Sequence, residues 1–178
     1  MTTDTKDFDY QKLRSSFELN IPSDFNFAFD VLSKNALNSE KIALISIDKN
    51  GDDFKNITYK ELDDISSKFA NALLNLGLKK KDKILVILPR IPEWYGVLFG
   101  CAKMGAIAMP GTTLLTARDI EYRVKISGAK AVVVSQLHCE AVEKIKDQCP
   151  SLTDIIFVGG RERVGKVLMC STMRLQTI

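Results

Sequence analysis

The chain predicts an α/β fold, a largely parallel layered sheet with flanking helices, preceded by a β-hairpin. Three observations carry that expectation. From Ile84 onward, runs of strand length alternate with runs of helix length, the succession that right-handed crossovers between parallel strands produce. Ile84-Leu-Val-Ile-Leu88 and Ala131-Val-Val-Val134 are apolar at every position, as in parallel strands covered on both faces, where in-out alternation disappears. Asn50-Gly51 stands between two further β-type runs, and that dipeptide favours the tight turn of a hairpin.

Taken in order, residues 1–24 form a lead-in with aromatic residues but no sustained period. They are expected to wrap the domain, with Ile21-Pro22-Ser23-Asp24 as the approach and N-cap of the next element. Phe25 to Leu32 is a short aromatic-rich helix expected to pack into the core. Ile42 to Ile47 and Phe54 to Tyr59 are the hairpin strands. The turn between them has carboxylates that suggest a calcium loop, but an EF-hand starting at Asp48 needs glycine at position 53 and glutamate at 59. The chain has Asp53 and Tyr59 there. Thr58-Tyr-Lys-Glu61 is a capping box that opens a helix, with Leu62, Ile65, Phe69, Ala72, Leu73 and Leu76 on one face and Gly77 at its end. Lys79 to Lys81 make a solvated turn into the Ile84 strand, which Pro89 stops.

Pro92 then fits the first turn of a helix, with Glu93 favourably placed at its positive end. The helix runs through Lys103 to Gly105. Gly96 and Gly100, four apart, cost helix propensity but allow a close backbone approach, expected here against the sheet. Ala106 to Met109 is the next strand and ends in Pro110-Gly111-Thr112-Thr113. Thr116 caps a helix from Ala117 to Ser127, closed by Gly128. After the Ala131 strand come a helix from Cys139 to Gln148, halted by Pro150, and a strand from Asp154 to Val158.

Composition narrows the function classes. A 178-residue chain with 46% hydrophobic and 26% charged residues is long enough for one core. The net charge of +3 is dispersed, which does not favour a nucleic-acid partner. Cys101, Cys139, Cys149 and Cys170 lack metal-ligand or redox spacing and are expected to be reduced thiols of a cytoplasmic protein. No apolar run is long enough for a membrane span, and no leader pattern opens the sequence.

His138, the single histidine, has no nucleophile elbow nearby, so a surface or helix-start role is expected. Glu61, Asp63, Asp64, Glu140, Glu143 and Asp147 all have local helical explanations. Gly160-Arg-Glu-Arg-Val-Gly165-Lys166-Val167 has the glycine and lysine positions of a phosphate-binding P-loop but lacks its final Ser or Thr, the hydroxyl that holds magnesium. A nucleotide-binding regulator using the Gly160–Lys166 loop is therefore an alternative reading. No catalytic residue and no metal ligand is assigned.

Several segments together resemble one family. They are Arg90-Ile-Pro-Glu-Trp94, Gly100-Cys-Ala-Lys-Met-Gly-Ala106, Pro110-Gly-Thr-Thr113 and Thr116-Ala-Arg-Asp-Ile-Glu-Tyr-Arg123. In order and spacing they resemble the adenylate-forming acyl-CoA synthetases, closest to the medium-chain and acetyl-CoA synthetase branch. The resemblance runs from about Asn26 to Val158 and implies residues 25–158 as a partial N-terminal domain of that fold.

It also implies an activity that joins a carboxylic acid to coenzyme A with ATP and magnesium, releasing AMP and pyrophosphate. The Ser/Thr/Gly-rich phosphate loop and later lysine of that chemistry have no counterpart in these residues. The resemblance places Gly111, Thr112 and Thr113 near the coenzyme A channel, with Leu114 where a glutamine is common. Residues 159–178 read as a divergent or truncated tail, which a truncated gene, a frameshift or an alternative product would explain. The expectation is a fragment inactive alone, or a non-enzymatic fragment that associates with a full-length synthetase. Self-association is expected through the exposed edge of the Asp154–Val158 strand.

Overall fold

A computed structural model describes residues 8–48 and 50–158 and the backbone of residues 169–170. A first helix, α1 (Tyr10–Ser16), is capped by Asp9, whose side chain accepts from the Lys12 amide. Every residue from 8 to 24 is exposed, so this segment does not wrap the domain as its aromatics suggest.

The next helix also starts later than the sequence indicates, because Asn26 rather than the Ser23-Asp24 pair caps it. Asn26 Oδ1 accepts from the Ala28 amide, and Asn26 Nδ2 donates to the Ala102 carbonyl at 2.8 Å. Residues Ala28–Ser33 take the wider π-helical turn, and the Ser33 hydroxyl donates to the Ala28 carbonyl. Ala28 and Leu32 are buried, while Phe25, Phe27 and Phe29 are about half exposed.

The hairpin consists of β1 (Ile42–Ile47) and β2 (Phe54–Thr58), antiparallel, with Ile47 opposite Phe54 and Ile45 opposite Asn56. Ile57 packs with Leu32 and Leu62, whereas Ile45, Ile47 and Phe54 are exposed. The expected capping box opens α2 (Tyr59–Asn75): Thr58 Oγ1 accepts from the Glu61 amide and Glu61 Oε2 from the Thr58 amide. Its buried face carries Leu62, Ser66, Phe69, Ala70 and Leu73.

The main sheet contains β3 (Lys83–Ile87), β4 (Ile107–Pro110), β5 (Ala131–Val134) and β6 (Asp154–Val158), all parallel, in the order β4-β3-β5-β6. Between them run α3 (Pro92–Met104), α4 (Ala117–Ser127) and α5 (Cys139–Ile145), the last continued by a short 3₁₀ turn to Gln148. At the far edge, β7 (Met169–Cys170) pairs in parallel with Phe157 and Val158. Part of the edge expected to be open is therefore occupied. The Gly160–Lys166 segment lies outside the described residues.

Strand geometry divides the core into two layers. Ile84, Val86, Ala131, Val133, Ile156 and Val158 point to the face covered by α2 and α3 and meet Phe69, Leu73, Val97 and Cys101. The alternate residues Leu85, Ile87, Val132, Val134, Ile155 and Phe157 meet Ile120, Val124, Val142 and Ile145 of α4 and α5. This is why the strands read as unbroken apolar runs: both faces are buried.

Gly96 and Gly100 do allow a close approach, but to α2 rather than to the sheet. A Cβ on Gly100 would lie 2.8 Å from the Ser66 carbonyl oxygen and 2.8 Å from Phe69 Cδ1. One on Gly96 would run into the Ile65 side chain. The Gly100 contact is the more restrictive, because the α2 backbone itself is the obstacle.

Asp63 has a tertiary role that its helical setting did not reveal. Its Oδ1 accepts from Lys103 Nζ at 2.7 Å and from the Ser33 hydroxyl at 2.6 Å, and Lys103 also reaches Ser67 Oγ. The Lys103 side chain is only 6% exposed, so this cluster is an internal tie between α2, α3 and the Ala28–Ser33 helix.

Candidate functional site

The crossovers place an opening at the carboxyl end of β3. The connection leaving β3 turns to the α2–α3 face, whereas those leaving β4 and β5 turn to the α4–α5 face. Where neighbouring connections diverge to opposite faces, the edge of a parallel sheet splits into a crevice, and ligands of such folds bind there. A groove of about 620 Å³ occupies this position.

One wall of the groove is Leu88 to Pro92 with Trp94 and Tyr95 at the start of α3. A second wall is Gly111 to Thr113, and β1 closes the third side with Leu44 to Ile47. Pro89 ends β3, and Pro92 starts α3 as its sequence position indicated. Trp94 and Tyr95 meet edge to face, with ring centroids 5.0 Å apart. Arg90 is exposed, and among the described residues no carboxylate lies within ion-pair distance of it.

The structure brings the three expected site residues together on this second wall. The Gly111 amide donates to the Val86 carbonyl at 2.8 Å, which extends the β3–β4 pairing into the loop. Thr112 and Thr113 are exposed, and Thr112 Oγ1 accepts from the Leu114 amide. Leu114 is 84% exposed, with no polar group to offer.

Sequence reasoning missed His138. It stands at a helix start, as expected, but it is buried rather than superficial, because its Nε2 bonds the Thr113 carbonyl at 2.9 Å. A lone histidine carries no sequence signal for a partner on another crossover.

What the groove can do is limited by what lines it. It offers one cation, the hydroxyls of Ser46, Thr112, Thr113 and Tyr95, backbone amides and two aromatic rings, a set suited to an elongated anionic ligand. None of the three described cysteines lines it, and burial pushes the Cys101 thiol up to about 12 and also raises Cys139 and Cys149. All three are free thiols. Among the described residues no group of three His, Cys, Asp or Glu side chains could hold a metal ion. Nor, among them, is any helix long and apolar enough to cross a membrane.

A parallel sheet between two helical layers, with a groove at its carboxyl edge, defines an α/β domain of the doubly wound class. The chain belongs to the AMP-binding enzyme family, which matches residues 33–167. It is 42% identical over 145 residues to "Acyl-coenzyme A synthetase ACSM4, mitochondrial" of Homo sapiens, covering 78% of this chain and 25% of that protein. It is 34% identical over 163 residues to "Acyl-coenzyme A synthetase ACSM3, mitochondrial" of Homo sapiens, covering 88% and 28%.

The anthranilate CoA ligase AuaEII, solved in complex with anthranoyl-AMP, superimposes with a TM-score of 0.68 at 27% identity over 78% of this chain and 26% of that one. A Brucella canis acyl-CoA synthetase matches the fold with a TM-score of 0.71 over 90% of this chain and 29% of that one. The fold is thus a partial N-terminal domain of the adenylate-forming ligases. The chain spans about a quarter of the length of these relatives.

Proposed function

We propose that these 178 residues are the opening part of an ATP-dependent acyl-CoA synthetase and that they furnish one wall of its coenzyme A-side groove rather than its catalytic groups. The observation that carries this reading is the composition of the groove. Gly111, Thr112 and Thr113 line it with Arg90, Trp94 and Tyr95, and no carboxylate, histidine, lysine or cysteine stands among its lining residues. In the whole reaction a carboxylic acid and ATP give an acyl-adenylate and pyrophosphate, and the acyl group then passes to the thiol of coenzyme A. This segment would orient the coenzyme through hydroxyls, backbone and the Arg90 charge, while phosphate and magnesium are held elsewhere. Within the reading, residues 25–158 are the family domain, 1–24 a lead-in and 159–178 a divergent tail.

Two measurements test the proposal. The isolated 178-residue chain, given ATP, magnesium and a panel of carboxylic acids, is expected to release no acid-dependent pyrophosphate above a blank. Sustained acid-dependent release would overturn the reading. The isolated chain is also expected to self-associate, because β4 has no partner on its outer side among the described residues and leaves Ile107 exposed there. Sedimentation velocity across a range of concentrations checks this, and a monomer at every concentration would refute it. A cytoplasmic location, drawn from the reduced thiols, belongs to the same proposal and is checked by cell fractionation.

A further inference from the structure

We propose that His138 is the positioning residue of the Gly111–Leu114 loop, holding that wall of the groove in place through one buried hydrogen bond. The importance of the wall for coenzyme A rests on the reading above, but the latch itself does not. Of the loop's other bonds, one ties its base to the neighbouring strand, Gly111 N–H to the Val86 carbonyl of β3, and the rest are local, Leu114 N–H to Thr112 Oγ1 and Leu115 N–H to the Thr112 carbonyl. Thr112, Thr113 and Leu114 are exposed and gain little from packing. Among the described residues, the one hydrogen bond from this loop to the β5–α5 crossover is that of His138 Nε2 with the Thr113 carbonyl, at 2.9 Å.

The chemistry of that bond fixes the imidazole. A carbonyl only accepts, so Nε2 carries a proton. Nδ1 is buried with no partner, so a proton there would have no acceptor, and the bond to Thr113 selects the Nε2–H tautomer. The Ser135 hydroxyl, in the same 3₁₀ turn, is buried and also lacks a partner. His138 and Ser135 are only 6% and 8% exposed, so the turn is packed in place and the loop docks onto it.

The chain contains one histidine and one tryptophan, and Trp94 lines the same groove as the loop, so both ends of the latch can be read without ambiguity. Long-range nitrogen–proton NMR of the imidazole in the full 178-residue chain is expected to show the Nε2–H tautomer. His138→Leu keeps the apolar volume and deletes the donor, whereas His138→Gln retains an amide donor. The leucine variant is expected to raise the open population of the loop about five-fold, the factor that one net hydrogen bond supplies. The rise would appear as greater acrylamide quenching of Trp94 and faster amide exchange through Gly111–Leu115, with circular dichroism unchanged.

The glutamine variant is expected to recover most of that loss. A wild-type Nδ1–H tautomer, a leucine variant that matches wild type in quenching and exchange, or a glutamine variant as open as the leucine one would each overturn the proposal. If His138→Leu fails to fold, the wild-type tautomer still decides. None of these readouts needs coenzyme A. A calorimetric titration with coenzyme A that shows no binding while the latch signatures hold would count against the groove reading alone.

Discussion

Replacing Phe69 by alanine is expected to lower stability by about 3–5 kcal/mol, the range for emptying a buried aromatic site. Phe69 is 4% exposed and lies in the layer formed by Leu73, Ile84, Val86, Val97 and Cys101. The hole it leaves cannot readily be refilled. Gly100, its close neighbour on α3, has no side chain to move into it, and α2 and α3 are already in backbone contact there. Such a loss is a large part of the 5–15 kcal/mol that holds a typical domain folded. Urea unfolding should show a lower midpoint at unchanged slope, and a loss below about 1 kcal/mol would show that Phe69 is not a core anchor.

Lys103→Met is expected to cost about 3 kcal/mol near neutral pH, because it leaves the Asp63 carboxylate half-desolvated with only Ser33 as a side-chain partner. Burial alone would raise Asp63, but the hydrogen bonds from Lys103 and Ser33 outweigh it and hold the carboxyl below its usual range. A carboxylate lowered by folding contributes stability that is fully present above its unfolded value, about 3.9, and is lost as pH falls through its folded value. The gap between wild type and Lys103→Met should therefore shrink as pH is taken from 7 to 3. Urea midpoints of both proteins at the two pH values measure this, and a gap of constant size would mean that Lys103 acts through packing alone. The doubly substituted Asp63→Leu, Lys103→Met chain should recover part of the loss, since removing both partners leaves no stranded charge.

What could be read in the sequence was the local part of the fold. The Thr58–Glu61 capping box, the first-turn Pro92, the Thr116 cap and the apolar strand runs each specify their element with neighbours a few residues away. The strands Ala131–Val134 and Asp154–Val158 and the helix Ala117–Ser127 have the expected bounds. The features that escaped are long-range. Asp63 and Lys103 lie 40 residues apart in sequence, and His138 and Thr113 lie 25 apart.

No periodicity encodes such partners, so an aspartate with a helical setting looked local and a lone histidine looked superficial. The same limit explains the glycines of α3. Their spacing announced a close approach, but only the packing of α2 says against what. Family resemblance put Gly111, Thr112 and Thr113 near a coenzyme A channel, and Arg90 and Trp94 belong to a segment that supported the same resemblance. Their meeting with β1 across the groove depends on how the hairpin docks, which no motif records.

The division of the core into two layers makes the molecule's own thiols into separate gauges of its motion. Cys101 lies beneath α3 on one face of the sheet and Cys149 beneath the α4–α5 layer on the other, both almost completely hidden from solvent. An alkylating reagent can reach either only when the corresponding helical layer lifts, so the ratio of their labelling rates ranks the two sides of the sheet by how often each opens. Cys101, lodged where α3 lies against α2, marks the side locked by the glycine contact and the internal ion pair, while Cys149 marks the side to which the His138 turn belongs.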